Sequence, residues 1–192
     1  MADRLDLQKI SVALCRMGWV RFWIQTTLGI VVISVLTFNN IGNRLTTNSD
    51  RILGLGPGLS FTTLSFIVLL YSLWQGRLII STGRALSSAS RPSKRETTRL
   101  IKNGLIADLL GLIFASLGYQ ALSGSLFIQA SLQIPGFFGA SNATNARGVS
   151  LAGYPITSIE MLSVLSNTQV LFAHLLGLLL SLWLLRRVYG SV

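Results

Sequence analysis

Charge is what this 192-residue sequence has least of. Only 11% of its residues are charged, against about a quarter in ordinary soluble domains. The shortage falls on the acids, with 6 Asp and Glu against 16 Lys and Arg. The one cysteine, Cys15, has no partner for an intrachain disulfide framework. The one histidine, His174, and the absence of CxxC, HxxxH and ExxH spacings leave no conventional metal cluster. No stretch alternates with period two, which argues against an outer-membrane barrel. Disorder is excluded by a 51% hydrophobic content. Paired carboxylates, a nucleophile with its base and a phosphate-cradling loop are all missing, so the chain is not expected to be an enzyme.

Long apolar runs are what the sequence does have, and its mean hydropathy is +0.60. A run of about 20 apolar residues crosses ~30 Å of hydrocarbon at ~1.5 Å per residue. Four runs qualify: 19–38, 58–76, 104–130 and 161–185. The expected fold is therefore all-α, a single polytopic domain over residues 1–192 with four transmembrane helices. The net charge of +10 then reads first as topology, because cytoplasmic loops collect Lys and Arg. Twelve basic residues fall before the first run, between the second and third, and after the fourth; three fall on the opposite side. That bias predicts both termini in the cytoplasm, or in the stroma of a plastid. Trp19, Trp23, Trp74 and Trp183 all fall at the same predicted ends, where amphipathic rings favour the interface.

Three segments flank these spans. In residues 1–18, Leu7, Ile10, Leu14 and Met17 recur at spacings of three and four among basic residues. This reads either as a short amphipathic helix lying on the membrane or as a lead-in to the first span. Residues 77–103 carry Arg77, Arg84, Arg91, Lys94, Arg95, Arg99 and Lys102. Ser93 followed by Glu96 is a capping-box pattern that starts a helix near Lys94. A third helix running from there to Ala130 would project well beyond one bilayer, making a basic cytoplasmic helical hairpin. Anionic lipid headgroups and an acidic protein partner both fit its charge. Nucleic acid does not, since base-stacking aromatics are absent from it. The outer loop, residues 131–160, is rich in Gly, Ser and Asn.

Ionisable residues inside a membrane are costly to insert, and each is a functional candidate. His174 lies mid-span, with readings as a hydrogen-bonded packing residue, a metal ligand or relay, or an axial ligand for a pigment. Asp108 lies about one turn inside the cytoplasmic end of the third span, where water, Lys102 or Arg99 is expected to reach it. Arg21 is expected to snorkel to the interface. Glu160, Gln120, Gln25 and Asn167 complete the polar candidates for a transport path. Ala107, Gly111 and Ala115 with Gly118, and Ala173, Gly177 and Ser181, form small-residue rows that let helices approach closely. These rows predict that the third and fourth spans are neighbours, or that one row serves a homo-oligomer.

Three stretches together carry a resemblance: RMGWVRFWIQ at 16–25; IKNGLIADLLG at 101–111 continuing through LGYQA at 117–121; and SNT at 166–168 followed by AHLLGL at 173–178. The pattern resembles the four-span chloroplast inner-envelope family known as permease in chloroplasts, which has cyanobacterial members. The resemblance covers about Arg16 to Val188. It implies two roles, transport of iron or another metal ion across the inner membrane and membership of a protein-import channel. Arg16, Gly18, Trp19, Phe22, Trp23, Gln25, Lys102, Asn103, Gly104, Gly111, Gln120, Asn167 and His174 carry over as family features. Plant members bear a transit peptide that is not seen here, so the chain resembles a cyanobacterial member of the plasma membrane or thylakoid. A transported iron or a pigment at His174 are the ligands this reading allows. The partners it allows are lipid and either further copies of the chain or the other subunits of a larger membrane complex.

Overall fold

The computed structural model describes residues 2–45, 55–86, 92–131 and 158–189. These form four helices, α1 (Ala2–Leu45), α2 (Leu55–Ala85), α3 (Lys94–Ser131) and α4 (Ser158–Tyr189). Each contains a stretch long and apolar enough to cross a membrane: Ile10–Phe38, Pro57–Ala85, Lys94–Ile128 and Glu160–Tyr189. Pro57 falls in the first turn of α2, where its missing N–H costs no helical bond. At α3 the Ser93 hydroxyl accepts the Glu96 amide at 3.2 Å, and the Ser93 carbonyl accepts the Thr97 amide at 3.0 Å. The serine thus starts the helix at the predicted residue. The 38 residues of α3 make a helix of ~57 Å at ~1.5 Å per residue. The outer loop between α3 and α4, the loop between α1 and α2, and Arg91 lie outside the described residues.

The helices pack in a ring, α1 on α2, α2 on α3, α3 on α4 and α4 back on α1. Buried positions recur at alternating spacings of three and four: 11, 14, 18, 21, 25, 29 and 32 on α1, and 58, 62, 65, 69, 72 and 76 on α2. On α3 they are 97, 101, 104, 108, 111, 115, 118 and 122, and on α4 163, 167, 170, 174, 177, 181, 184 and 188. This is the seam of a bundle whose helices keep one face inward along their whole length. Small and polar residues dominate the stripes. The large apolar side chains, such as Ile30, Ile67, Leu70, Ile113 and Leu179, point outward. Lipid is as apolar as a leucine core, so burying leucine gains little there, whereas close backbone approach and hydrogen bonds do stabilise.

The start of α1 continues into the first span without a break. Ile10, Leu14 and Met17 pack into an apolar cluster with Ile79, Leu86, Ile101, Leu184 and Val188. Ile10, Leu14 and Met17 therefore share the core-facing side of α1. The cluster joins the start of α1, the end of α2, the start of α3 and the end of α4, so successive helices alternate in direction. The basic residues gather at this end. A second apolar cluster, Val32, Ala115 and Val170 with Leu36, Phe66 and Leu171, sits farther along. Between the two lies a polar layer.

Candidate functional site

Asp108 is at the centre of that layer and is fully buried. Its Oδ2 accepts the Arg21 Nη2 at 2.9 Å. Its Oδ1 accepts the Ser72 hydroxyl at 2.6 Å and the Gln25 amide at 3.2 Å, and lies 3.2 Å from His174 Nδ1. Arg21 also donates from Nη1 to Ser181 Oγ at 2.8 Å and from Nη2 to Ser72 Oγ at 2.8 Å. On the far side of the imidazole, Nε2 lies 3.1 Å from the Ser65 carbonyl, and the Ser65 hydroxyl donates to the Gly111 carbonyl at 2.7 Å. All four helices thus contribute: α1 gives Arg21 and Gln25, α2 Ser65 and Ser72, α3 Asp108, and α4 His174 and Ser181.

Arg21 is the residue whose role the sequence concealed. It does not snorkel: position 21 is in register with Leu14, Gly18, Gln25 and Val32 on the inner stripe of α1, which aims the guanidinium across the bundle. Asp108 correspondingly meets neither water nor Lys102 and Arg99, because α3 turns those two outward while 108 faces the core. The signal was present in the spacing, since small or polar residues at 11, 18, 21, 25 and 29 mark the inward face of a helix in lipid. A charged side chain in the apolar layer is retained only where it is paired and hydrogen-bonded. Here Arg21 Nε is the guanidinium nitrogen left without a partner.

Glycines make the sockets. A Cβ on Gly111 would collide with the His174 ring, and one on Gly177 would collide with Asp108 Oδ2 and Gln25 Nε2. A Cβ on Gly104 would come within 3.0 Å of Arg21 Nη1, and one on Gly118 within 2.8 Å of Asn167 Oδ1. Gly104, Gly111 and Gly118 lie seven apart on α3, so a single helical face seats an arginine, a histidine and an asparagine in turn. The small-residue rows do bring α3 and α4 together. Their glycines, however, make room for polar side chains more than for a neighbouring backbone. Ala107, Ala115, Ala173 and Ser181 are buried alongside them.

The remaining candidates separate from this centre. Asn167 is buried nearly two turns farther along α4, accepting the Thr62 hydroxyl at 2.8 Å and donating to the Ala115 carbonyl at 2.9 Å. Glu160 is buried at the opposite end of α4 from the basic residues. Gln120 faces outward, away from His174. At the basic end, Arg77 stacks 5.8 Å over the Phe22 ring and Arg84 is exposed on the last turn of α2. Lys94, Arg95, Arg99 and Lys102 line a cleft of about 760 Å³ with Thr98 and Tyr189. Lys102 Nζ lies 6.0 Å over the Tyr189 ring.

Residues 4–189 match the family described as Protein of unknown function (DUF3611). The chain belongs to that family. It is also similar to Protein TIC 21, chloroplastic, of Arabidopsis thaliana, with 26% identity over 183 residues, or 95% of the chain. The match spans 58% of that relative's length. No solved structure matches. A four-helix integral membrane protein related to a chloroplast protein agrees with the resemblance noted from the sequence.

As packed, the centre is not arranged to hold a metal ion. Both imidazole nitrogens and both carboxylate oxygens of Asp108 are engaged within the protein. Among the described residues, no group of three His, Cys, Asp or Glu side chains gathers that could ligate one. What the arrangement does chemically is hold a charged acid–base set dry in the apolar layer and tie four helices to it.

Proposed function

We propose that the chain is an integral membrane permease or transport subunit that works as a homo-oligomer, with iron or another metal ion as the cargo that the family resemblance implies. The observation that carries this reading is the fully buried Arg21–Asp108–His174 set, which joins all four helices. Ionisable groups at such depth are expensive to insert and each is a functional candidate by default, although the wet path past His174 that the transport reading expects is not what the packed set forms. In this reading the set is the pivot of the bundle and not the cargo's resting place, because its polar atoms are satisfied internally. Cargo moves when the glycine-lined α3–α4 seam opens, or between copies, since four packed helices enclose little space. The basic end faces the cytoplasm of a cyanobacterium or the equivalent stroma, and the membrane is the plasma membrane or thylakoid. The test is radiolabelled iron uptake into proteoliposomes, with wild type beside Asp108→Asn and His174→Ala. Uptake of iron, or of another divalent metal ion offered in its place, that wild type shows and both variants lose supports the reading; no uptake of any of them by wild type overturns it.

A second reading, a non-enzymatic accessory subunit of a larger import or photosynthetic complex, is favoured by the dry packing of His174 and the exposed cations around the α3 start. Here the basic hairpin is the docking face. Purification in mild detergent separates the two, because the accessory subunit comes away with stoichiometric neighbours and the transporter comes away as a homo-oligomer.

A further inference from the structure

The hydrogen-bond inventory around His174 contains more acceptors than a neutral imidazole can serve. A neutral ring has one N–H and one lone pair. Its Nε2 faces the Ser65 backbone carbonyl at 3.1 Å, which can only accept. Its Nδ1 faces Asp108 Oδ1 at 3.2 Å, an oxygen already accepting the Ser72 hydroxyl and the Gln25 amide, while Oδ2 accepts Arg21. With a neutral ring beside a carboxylate, one lone pair of the imidazole must point at an acceptor. One added proton removes the conflict in either of two placements. On Nδ1 it makes both ring nitrogens donors; on Oδ1 it is donated to Nδ1 while Nε2–H serves Ser65.

We propose that Asp108 and His174 together hold one exchangeable proton, shared between Asp108 Oδ1 and His174 Nδ1, which makes the centre a proton-binding site. The charges packed around it are few. Arg21 faces it from α1, Asp108 is the contribution of α3, and His174 that of α4. Among the described residues, α2 faces it with the neutral Ser65 and Ser72. With the proton, the Arg21–Asp108–His174 set carries one net positive charge; without it the set is neutral. Burial favours the neutral form and the hydrogen bonds favour the protonated one, so two opposed requirements meet at one atom pair. Loss of the proton turns a lone pair against Ser65 on α2 or against Asp108 on α3, so the occupancy of this site governs how firmly α4 is held. The proton comes from water and returns to it, and no electron is transferred. This inference deepens the transport reading by naming a coupling ion.

His174 is the one histidine of the chain, so ¹⁵N-histidine labelling of the full chain in vesicles reports a single ring. Across a series of buffers from acid to alkaline, solid-state NMR of the ring is read beside the infrared band of a protonated carboxyl group. The expected result is a one-proton transition, seen as two ring N–H groups or as a carboxyl band that Asp108→Asn abolishes, with the variant ring settling into one neutral tautomer. Arg21→Gln/Asp108→Asn, which keeps the centre neutral, provides the same control if the single variant does not fold. A wild-type ring fixed in one neutral tautomer beside an ionised carboxylate throughout the range overturns the proposal, as does a transition unchanged in the variants. The readout needs no cargo. A transition without metal-ion uptake in the proteoliposome assay sinks the transport reading and leaves the proton site standing.

Discussion

Two buried layers of this bundle, a few helical turns apart, are held together by different physics. At the basic end Leu14, Ile79, Leu86, Ile101, Leu184 and Val188 make an apolar plug like that of a soluble protein. Next along the axis, Arg21, Gln25, Ser72, Asp108 and His174 make a layer whose side chains are hydrogen-bonded to one another across the helices. In water the first layer would dominate stability. The plug is flanked by Arg16, Arg84, Arg99 and Arg186, and burying apolar groups at that end still gains against water; within the lipid the second layer, whose groups have nowhere else to find partners, carries the specificity of the fold.

The comparison is broken most severely at Arg21. Arg21→Ala leaves the Asp108 carboxylate buried without its cation and is expected to destabilise the bundle by about 3–5 kcal/mol, measured by reversible unfolding in mixed micelles. Arg21→Met/Asp108→Leu should recover most of that loss. A double variant as unstable as the single would place the effect elsewhere. Leu184→Ala in the apolar plug tests the other layer. At this basic end the full cost of a core truncation is expected, about 2–5 kcal/mol. A loss below about 1 kcal/mol would show that the plug, too, has lipid and not water as its alternative environment. Next in size is Gly111→Ala, which drives a methyl into the His174 ring and should cost about 1–3 kcal/mol, the range of overpacking. Gly76→Ala, whose Cβ meets nothing within 4 Å, should be neutral or stabilising by up to about 1 kcal/mol. Gln120→Ala on the outward face should likewise change stability by less than about 0.5 kcal/mol.

Much of this was legible in the sequence. Four apolar runs gave four helices, Ser93 gave the start of α3 at Lys94, and the small-residue rows gave the α3–α4 contact. Asp108 and His174 stood out as ionisable residues in apolar surroundings, 66 positions apart, and the fold brings them to 3.2 Å. Gln120 has the same polarity yet points outward, because one step along a helix turns a side chain by about 100° and composition alone does not record which way. Arg21 lies close enough to the end of its run that snorkelling was an available reading. Only its register with Gly18 and Gln25 argues otherwise.

The sequence by itself determined the number of spans, the start of α3 and the asymmetry of charge along them, since these follow from hydropathy and capping, which are local. Only the tertiary structure decided that Arg21 crosses the bundle to Asp108, that glycines seven apart seat an arginine, a histidine and an asparagine, and that His174 faces an acceptor on each side. Those are matters of which face meets which. In a membrane they are fixed by the few polar groups that must find one another, because the surrounding lipid places so little constraint on the apolar ones.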